Sequence, residues 1–172
     1  KTDYRQEFSR IGSMISGAGS WNDWTELYRK ITFWESELEK SSDPGMAEIL
    51  KTQENEANAL FSKFVAANYV SWFDQKNSEA PLLSPGLFPE KIFPHLSRGR
   101  PLFFILIDNM RYDQWKTISA ELPGYYRIAE EYMYSSILPT ATQYSRNAIF
   151  SGLMPDRIAA MMPQFWVDDD DE

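Results

Sequence analysis

Leu102-Phe103-Phe104-Ile105-Leu106-Ile107-Asp108 is the stretch on which the fold class turns. Six apolar residues in unbroken succession, closed by a carboxylate, read as a strand buried on both faces, as in a parallel sheet. The residues downstream fit the same reading. A helix is expected over Tyr112–Glu121, and a second strand at Glu131–Ile137. A short helix follows over Tyr144–Phe150, ended by Gly152 and Pro155. Strand, helix, strand, helix is the pattern of an α/β sheet.

Upstream the periodicity changes from continuous to helical. Tyr4, Phe8, Ile11 and Ile15 recur at helical spacing, and Gly17 and Gly19 end that helix. A second helix starts near Asn22 and carries Trp24, Leu27, Tyr28, Ile31, Trp34 and Leu38 along one face. Asp43-Pro44 restarts the chain as a cap and first helical residue. The third helix runs to about Gln75, with Met46, Ile49, Leu50, Ala57, Leu60, Phe61, Phe64 and Trp72 in its stripe. These stripes read as core.

Between the two parts, prolines recur at 81, 85, 89, 94 and 101. Proline lacks the amide hydrogen of regular elements, so 77–101 reads as a linker. Its Leu82, Leu83, Leu87, Phe88, Ile92 and Phe93 imply that it lies against a surface. The expected class is α/β with an N-terminal all-α part: a helical bundle over 1–76, a Pro-rich linker over 77–101, and a sheet domain over 102–172.

Bulk properties narrow the function classes. Of the 172 residues, 43% are hydrophobic and 15% aromatic, enough to bury a core. The net charge is −8. Five of those negative charges lie in Asp168–Glu172, which leaves the rest at −3. Such a balance argues against non-specific nucleic-acid binding, which needs clustered Lys and Arg. The acidic run reads as a solvated end. There is no cysteine, so disulfides, thiolate nucleophiles and Cys-ligated zinc are excluded within the chain, and a cytoplasmic setting fits. No stretch approaches the roughly 20 apolar residues that span a bilayer. Lys1–Arg10 does not read as a signal peptide, and a start without Met inside a helix suggests an excised fragment.

Two positions stand out chemically. In open α/β sheets ligands gather at the carboxyl ends of strands. Asp108 would sit there as a metal or substrate ligand, or else form a turn with Asn109 that caps the next helix. Thr140 and Thr142 precede a helix, whose N-terminal amides and dipole favour phosphate. Either hydroxyl could be a nucleophile once a metal or base deprotonates it, or a plain helix cap. Arg146 and Asn147 could touch a phosphate from that helix or face solvent.

Together these segments carry a family resemblance. Phe104-Ile105-Leu106-Ile107-Asp108-Asn109-Met110-Arg111-Tyr112-Asp113 resembles the first metal-binding strand of the alkaline phosphatase superfamily. Pro139-Thr140-Ala141-Thr142, followed by Ser151-Gly152-Leu153-Met154-Pro155, resembles its nucleophile segment, in particular that of the PglZ branch. A three-helix bundle ahead of a PglZ domain is similar to the PorX-type response regulators of type IX secretion.

The resemblance implies a phosphodiesterase or phosphatase with two zinc ions. Asp108 would be a ligand. Thr142 would touch a metal and attack phosphorus, giving a phospho-threonine that water hydrolyses. Thr140 is the runner-up nucleophile, but it sits too early for the pattern. It further implies a phosphate-ester substrate, a nucleotide among the candidates. The implied partners are a cognate histidine kinase acting through a receiver domain outside this chain, and a second copy in a homodimer.

The chain departs from the pattern in its ligands. Its single histidine, His95, lies between Pro94 and Leu96 in the linker and reads as packing, so two zinc sites cannot be filled here. The domain is therefore expected to be truncated and the fragment inactive. The alternative is a non-catalytic signalling, dimerisation or docking module. Other motifs fail: Gly17-Ala18-Gly19-Ser20 follows no strand, and no Walker loop or Gly-x-Ser-x-Gly elbow is present.

Overall fold

The computed structural model describes residues 4–41, 43–74, 76–97 and 99–166. Among them every regular element is helical, so the described chain is all-α. The chain divides into two compact units, one of residues 1–80 with 110–129, the other of 81–109 with 130–172.

The first unit is built on α1 (Tyr4–Gly17), α2 (Trp21–Ser41) and α3 (Pro44–Asn68), with a 3-10 turn at Tyr69–Phe73. Each start has a local cause. Asp23 Oδ2 accepts from the amides of Ser20 and Gly19 at 2.9 and 3.1 Å, and the Ser20 hydroxyl accepts from the Asp23 N–H at 3.2 Å. This reciprocal cap starts α2 at Trp21, ahead of the expected Asn22. The Ser20 hydroxyl and the two amides also hold the Asp23 carboxyl below its ordinary range. Asp43 caps α3 by accepting from the Met46 N–H at 3.2 Å, with Pro44 opening the helix.

Phe8, Ile11 and Ile15 of α1 meet Trp24, Leu27, Ile31, Trp34 and Leu38 of α2, and Leu50 and Ala57 of α3, in one buried cluster. Burying one such large side chain contributes roughly 1.5–3 kcal/mol. Polar ties fix the register: Gln53 Nε2 donates to the Phe8 carbonyl at 2.8 Å, and Lys30 pairs with Glu7 at 2.5 Å. Against α2 lies α4 (Tyr112–Glu121), with the Tyr28 and Tyr112 rings 5.7 Å apart.

The second unit holds α5 (Thr142–Ser151), α6 (Pro155–Met161) and short turns at Ser84–Gly86, Phe88–Ile92, Phe93–His95 and Pro163–Phe165. The prolines of the 77–101 stretch serve these turns. Pro85, Pro89 and Pro94 take first-turn positions, where the missing amide hydrogen costs nothing. Ser84, Ile137, Ala148, Ile149 and Ile158 are buried.

Among the described residues the expected sheet is not there, and the α/β assignment is corrected. Residues 102–107 are irregular, with Phe103 84% and Ile105 79% exposed. Segment 131–137 makes one isolated parallel bridge, Ser135 to Leu83, rather than a ladder with 102–107. A continuous apolar run describes a strand only where neighbours satisfy its backbone on both edges. Among the described residues no such ladder forms. The acidic run Asp168–Glu172 and Gln75 lie outside the described residues. No described helix is long and apolar enough to cross a membrane.

Candidate functional site

Asp108 and Thr142 both belong to the second unit. Asp108 lies exposed in a two-residue turn with Asn109, whose φ of 56° is left-handed. Asparagine tolerates that conformation better than most residues. The turn reading of Asp108-Asn109 thus describes its local geometry. The cap reading does not, because Arg111 is the residue flanking α4, and Gln114 Oε1 accepts its N–H at 3.0 Å.

Thr142 is exposed and is the first residue of α5. The N-cap is Ala141, and no side chain caps the helix. The Tyr144 and Ser145 amides bond back to the Ala141 carbonyl at 3.1 and 3.0 Å. The Thr142 hydroxyl therefore stands at the helix start without serving as its cap. Thr140 lies exposed before it, after a cis Leu138–Pro139 peptide. Arg146 on α5 is exposed and Asn147 is half-buried.

The approach to Thr142 is held by hydrogen bonds, several of them to serines, that the sequence did not single out. The Ser135 N–H donates to the Leu82 carbonyl at 2.8 Å, and the buried Ile137 N–H donates to Ser84 Oγ at 3.2 Å. The Ser136 and Ser145 hydroxyls bond to each other, tying the approach segment to α5. Ser84 is fully buried, within the stretch read as a Pro-rich linker. A buried Ser leading a 3-10 turn has no sequence signature of its own.

Aromatic packing joins the Asp108 segment to the Thr142 helix. The Phe88 ring lies 4.8 Å from Phe104 and 5.5 Å from Phe150, and Phe104 meets Phe150 at 5.8 Å. Phe104 lies four residues before Asp108, and Phe150 lies one residue before the end of α5. On the other side Lys91 Nζ sits 3.8 Å over the Tyr132 ring. Burial pushes the nearby Tyr134 phenol up from its ordinary value.

The end of α5 explains its motif. Gly152 takes the left-handed conformation (φ 69°) and donates its N–H to Ala148 at 3.0 Å, while the Leu153 N–H donates to Ser151 Oγ at 3.1 Å. Pro155 then opens α6. Glycine ends one helix and proline begins the next, as the physical chemistry of each dictates.

His95 is exposed in the Phe93–His95 turn, contrary to the packing expected of it. Pro94 places it in a surface turn with Leu96, itself 58% exposed. Among the described residues no group of three or more His, Asp or Glu converges to hold a metal. Asp108 and Thr142 provide two oxygen donors, where a tetrahedral zinc centre takes four ligands. These residues by themselves do not fit two zinc ions.

Two family models match. The PorX response regulator linker domain covers residues 1–73, and the BREX system PglZ alkaline phosphatase-like domain covers residues 87–172. The chain belongs to the PglZ alkaline phosphatase-like family, with the linker domain of the PorX-type response regulators ahead of it. It is a response-regulator effector region. A comparison with curated proteins returns no significant match.

Proposed function

We propose that this region works in a two-component response regulator as part of a zinc-dependent phosphatase or phosphodiesterase, with Thr142 as nucleophile and Asp108 as a metal ligand. The carrying observation is Thr142 at the first position of a ten-residue helix, inside the stretch matched by the phosphatase-like family. A phosphate presented there meets helix N-terminal amides and the positive end of the helix dipole. The hydroxyl is exposed and stands at the point where that anion is favoured. The remaining metal ligands come from residues other than those described. In this reading the protein is cytoplasmic, takes its signal from a histidine kinase through a receiver domain, and works as a homodimer. Its substrate is a phosphate ester, a nucleotide among the candidates.

The test uses the intact protein loaded with zinc and an aryl phosphate monoester or diester. Thr142→Val removes the hydroxyl at nearly constant volume. It is expected to abolish turnover while leaving the thermal midpoint in place, and Thr142→Ser to retain a measurable rate. Full turnover by Thr142→Val would refute the nucleophile and favour a docking role for this region.

A further inference from the structure

Between Asp108 and α4 the chain changes allegiance. Residues 81–109 belong with 130–172, whereas Met110–Ala129 belong with 1–80. The residues of α4 therefore fall within the stretch matched by the phosphatase-like family, yet pack with helices matched by the linker family.

The packing is anchored at the start of α4. Tyr112, its first residue, lays its ring against Tyr28 of α2 with the planes at 41°. Tyr28 is 49% exposed, so its ring does not belong to the bundle core; its ring partner is Tyr112. The adjoining backbone is fastened as well. The Arg111 guanidinium donates to both Asp113 carboxylate oxygens, at 2.9 and 2.6 Å, and Gln114 accepts the Arg111 N–H. Three residues separate Tyr112 from Asp108, a tether with a Cα-to-Cα reach of at most about 14 Å when fully extended. Within that tether lies Asn109, held in the left-handed region.

We infer that α4 is a transmission element. Seated on α2 through Tyr112, it fixes one end of the turn that bears Asp108. A change in the linker helices that shifts the Tyr28 seat is carried to Asp108 through the three intervening residues of backbone. The inference rests on the reading of Asp108 as a residue of the hydrolase site, and it assigns that site its regulation.

The experiment compares the intact protein with Tyr28→Ala, Tyr112→Ala and the double variant by two readouts. One is amide hydrogen exchange over residues 107–121; the other is turnover of an aryl phosphate ester. Each single variant should exchange about tenfold faster over 107–121 and change turnover at least threefold, by the local-opening logic of exchange. The double variant should do no more than the stronger single. Tyr28→Phe, which keeps the ring, should match the wild type in both. Faster exchange with unchanged turnover would overturn the transmission and leave the hydrolase reading standing. Unchanged exchange in both singles would overturn the seat itself. A wild-type protein without turnover would bring down the hydrolase reading, and the inference with it.

Discussion

The Phe104 ring meets the Phe150 ring edge-on, at 5.8 Å and an interplanar angle of 86°, and both rest on Phe88. This contact links the segment leading to Asp108 with the helix that starts at Thr142. Edge-to-face geometry suits the ring quadrupoles, and such a pair is worth about 0.5–1.5 kcal/mol beyond its buried area. Phe104→Ala and Phe150→Ala should each destabilise the second unit by roughly 1–2 kcal/mol. That is less than a fully buried Phe would cost, because Phe150 stays 54% exposed. A double-mutant cycle in urea should return the pair term, and strict additivity would show that the rings do not couple.

The buried Ser84 hydroxyl accepts the buried N–H of Ile137. Ser84→Ala leaves that donor without a partner and should cost about 1–3 kcal/mol. The loss should be local, so hydrogen exchange of the Ile137 amide should rise before the helices of the first unit respond. Protection at Ile137 equal to the wild type would show that another group takes over the bond.

Gly152 ends α5 in a conformation that side chains resist. A Cβ there would meet the Pro85 carbonyl at 3.7 Å, an ordinary contact, so the cost of Gly152→Ala is in the backbone alone. It should be about 1 kcal/mol. Gly99, also left-handed but with nothing near its Cβ position, should respond similarly to alanine. A marked difference between the two would point to strain beyond φ.

What the sequence disclosed, and what it withheld, follows from the range of the forces involved. Helical stripes are local, so Phe8, Ile11 and Ile15, or Trp24, Leu27, Ile31, Trp34 and Leu38, identify their helices and their core together. Asp43-Pro44 is likewise local, and it caps α3 as read. The run 102–107 misled because apolarity reports a need for burial and is silent on which backbone will pair with it. Tyr28 looked like a core residue on the α2 stripe, yet its ring partner is Tyr112, far along the chain. Ser84 was invisible for the same reason, since its role is defined by Ile137. At the candidate site, Asp108 and Thr142 were named from their neighbours in sequence, whereas the Phe88–Phe104–Phe150 contacts that link their segments are long-range.

The junction of α2, α3 and α4 should respond to pH in two opposed ways. Glu35 on α2 has its carboxyl raised from 4.5, first by burial, then by Glu54 of α3, with Asp113 and Glu39 adding and Lys51 opposing. A carboxyl raised in the folded state contributes stability that is present below its unfolded value and lost as pH rises through the folded one. Glu35→Gln should therefore raise the urea midpoint at pH 7, and the gain should vanish below about pH 4.5. Asp113 behaves oppositely. The Arg111 guanidinium pulls its carboxyl from 3.8 down to about 2. Its contribution is present above pH 3.8 and is lost as pH falls toward 2. Because the pair is exposed, added salt should shrink the effect. Asp113→Asn should thus loosen α4 at pH 7 and match the wild type near pH 2, measured by hydrogen exchange over Tyr112–Glu121. Should the two proteins exchange alike at pH 7 in low salt, the Arg111 pair would have no part in holding the start of α4.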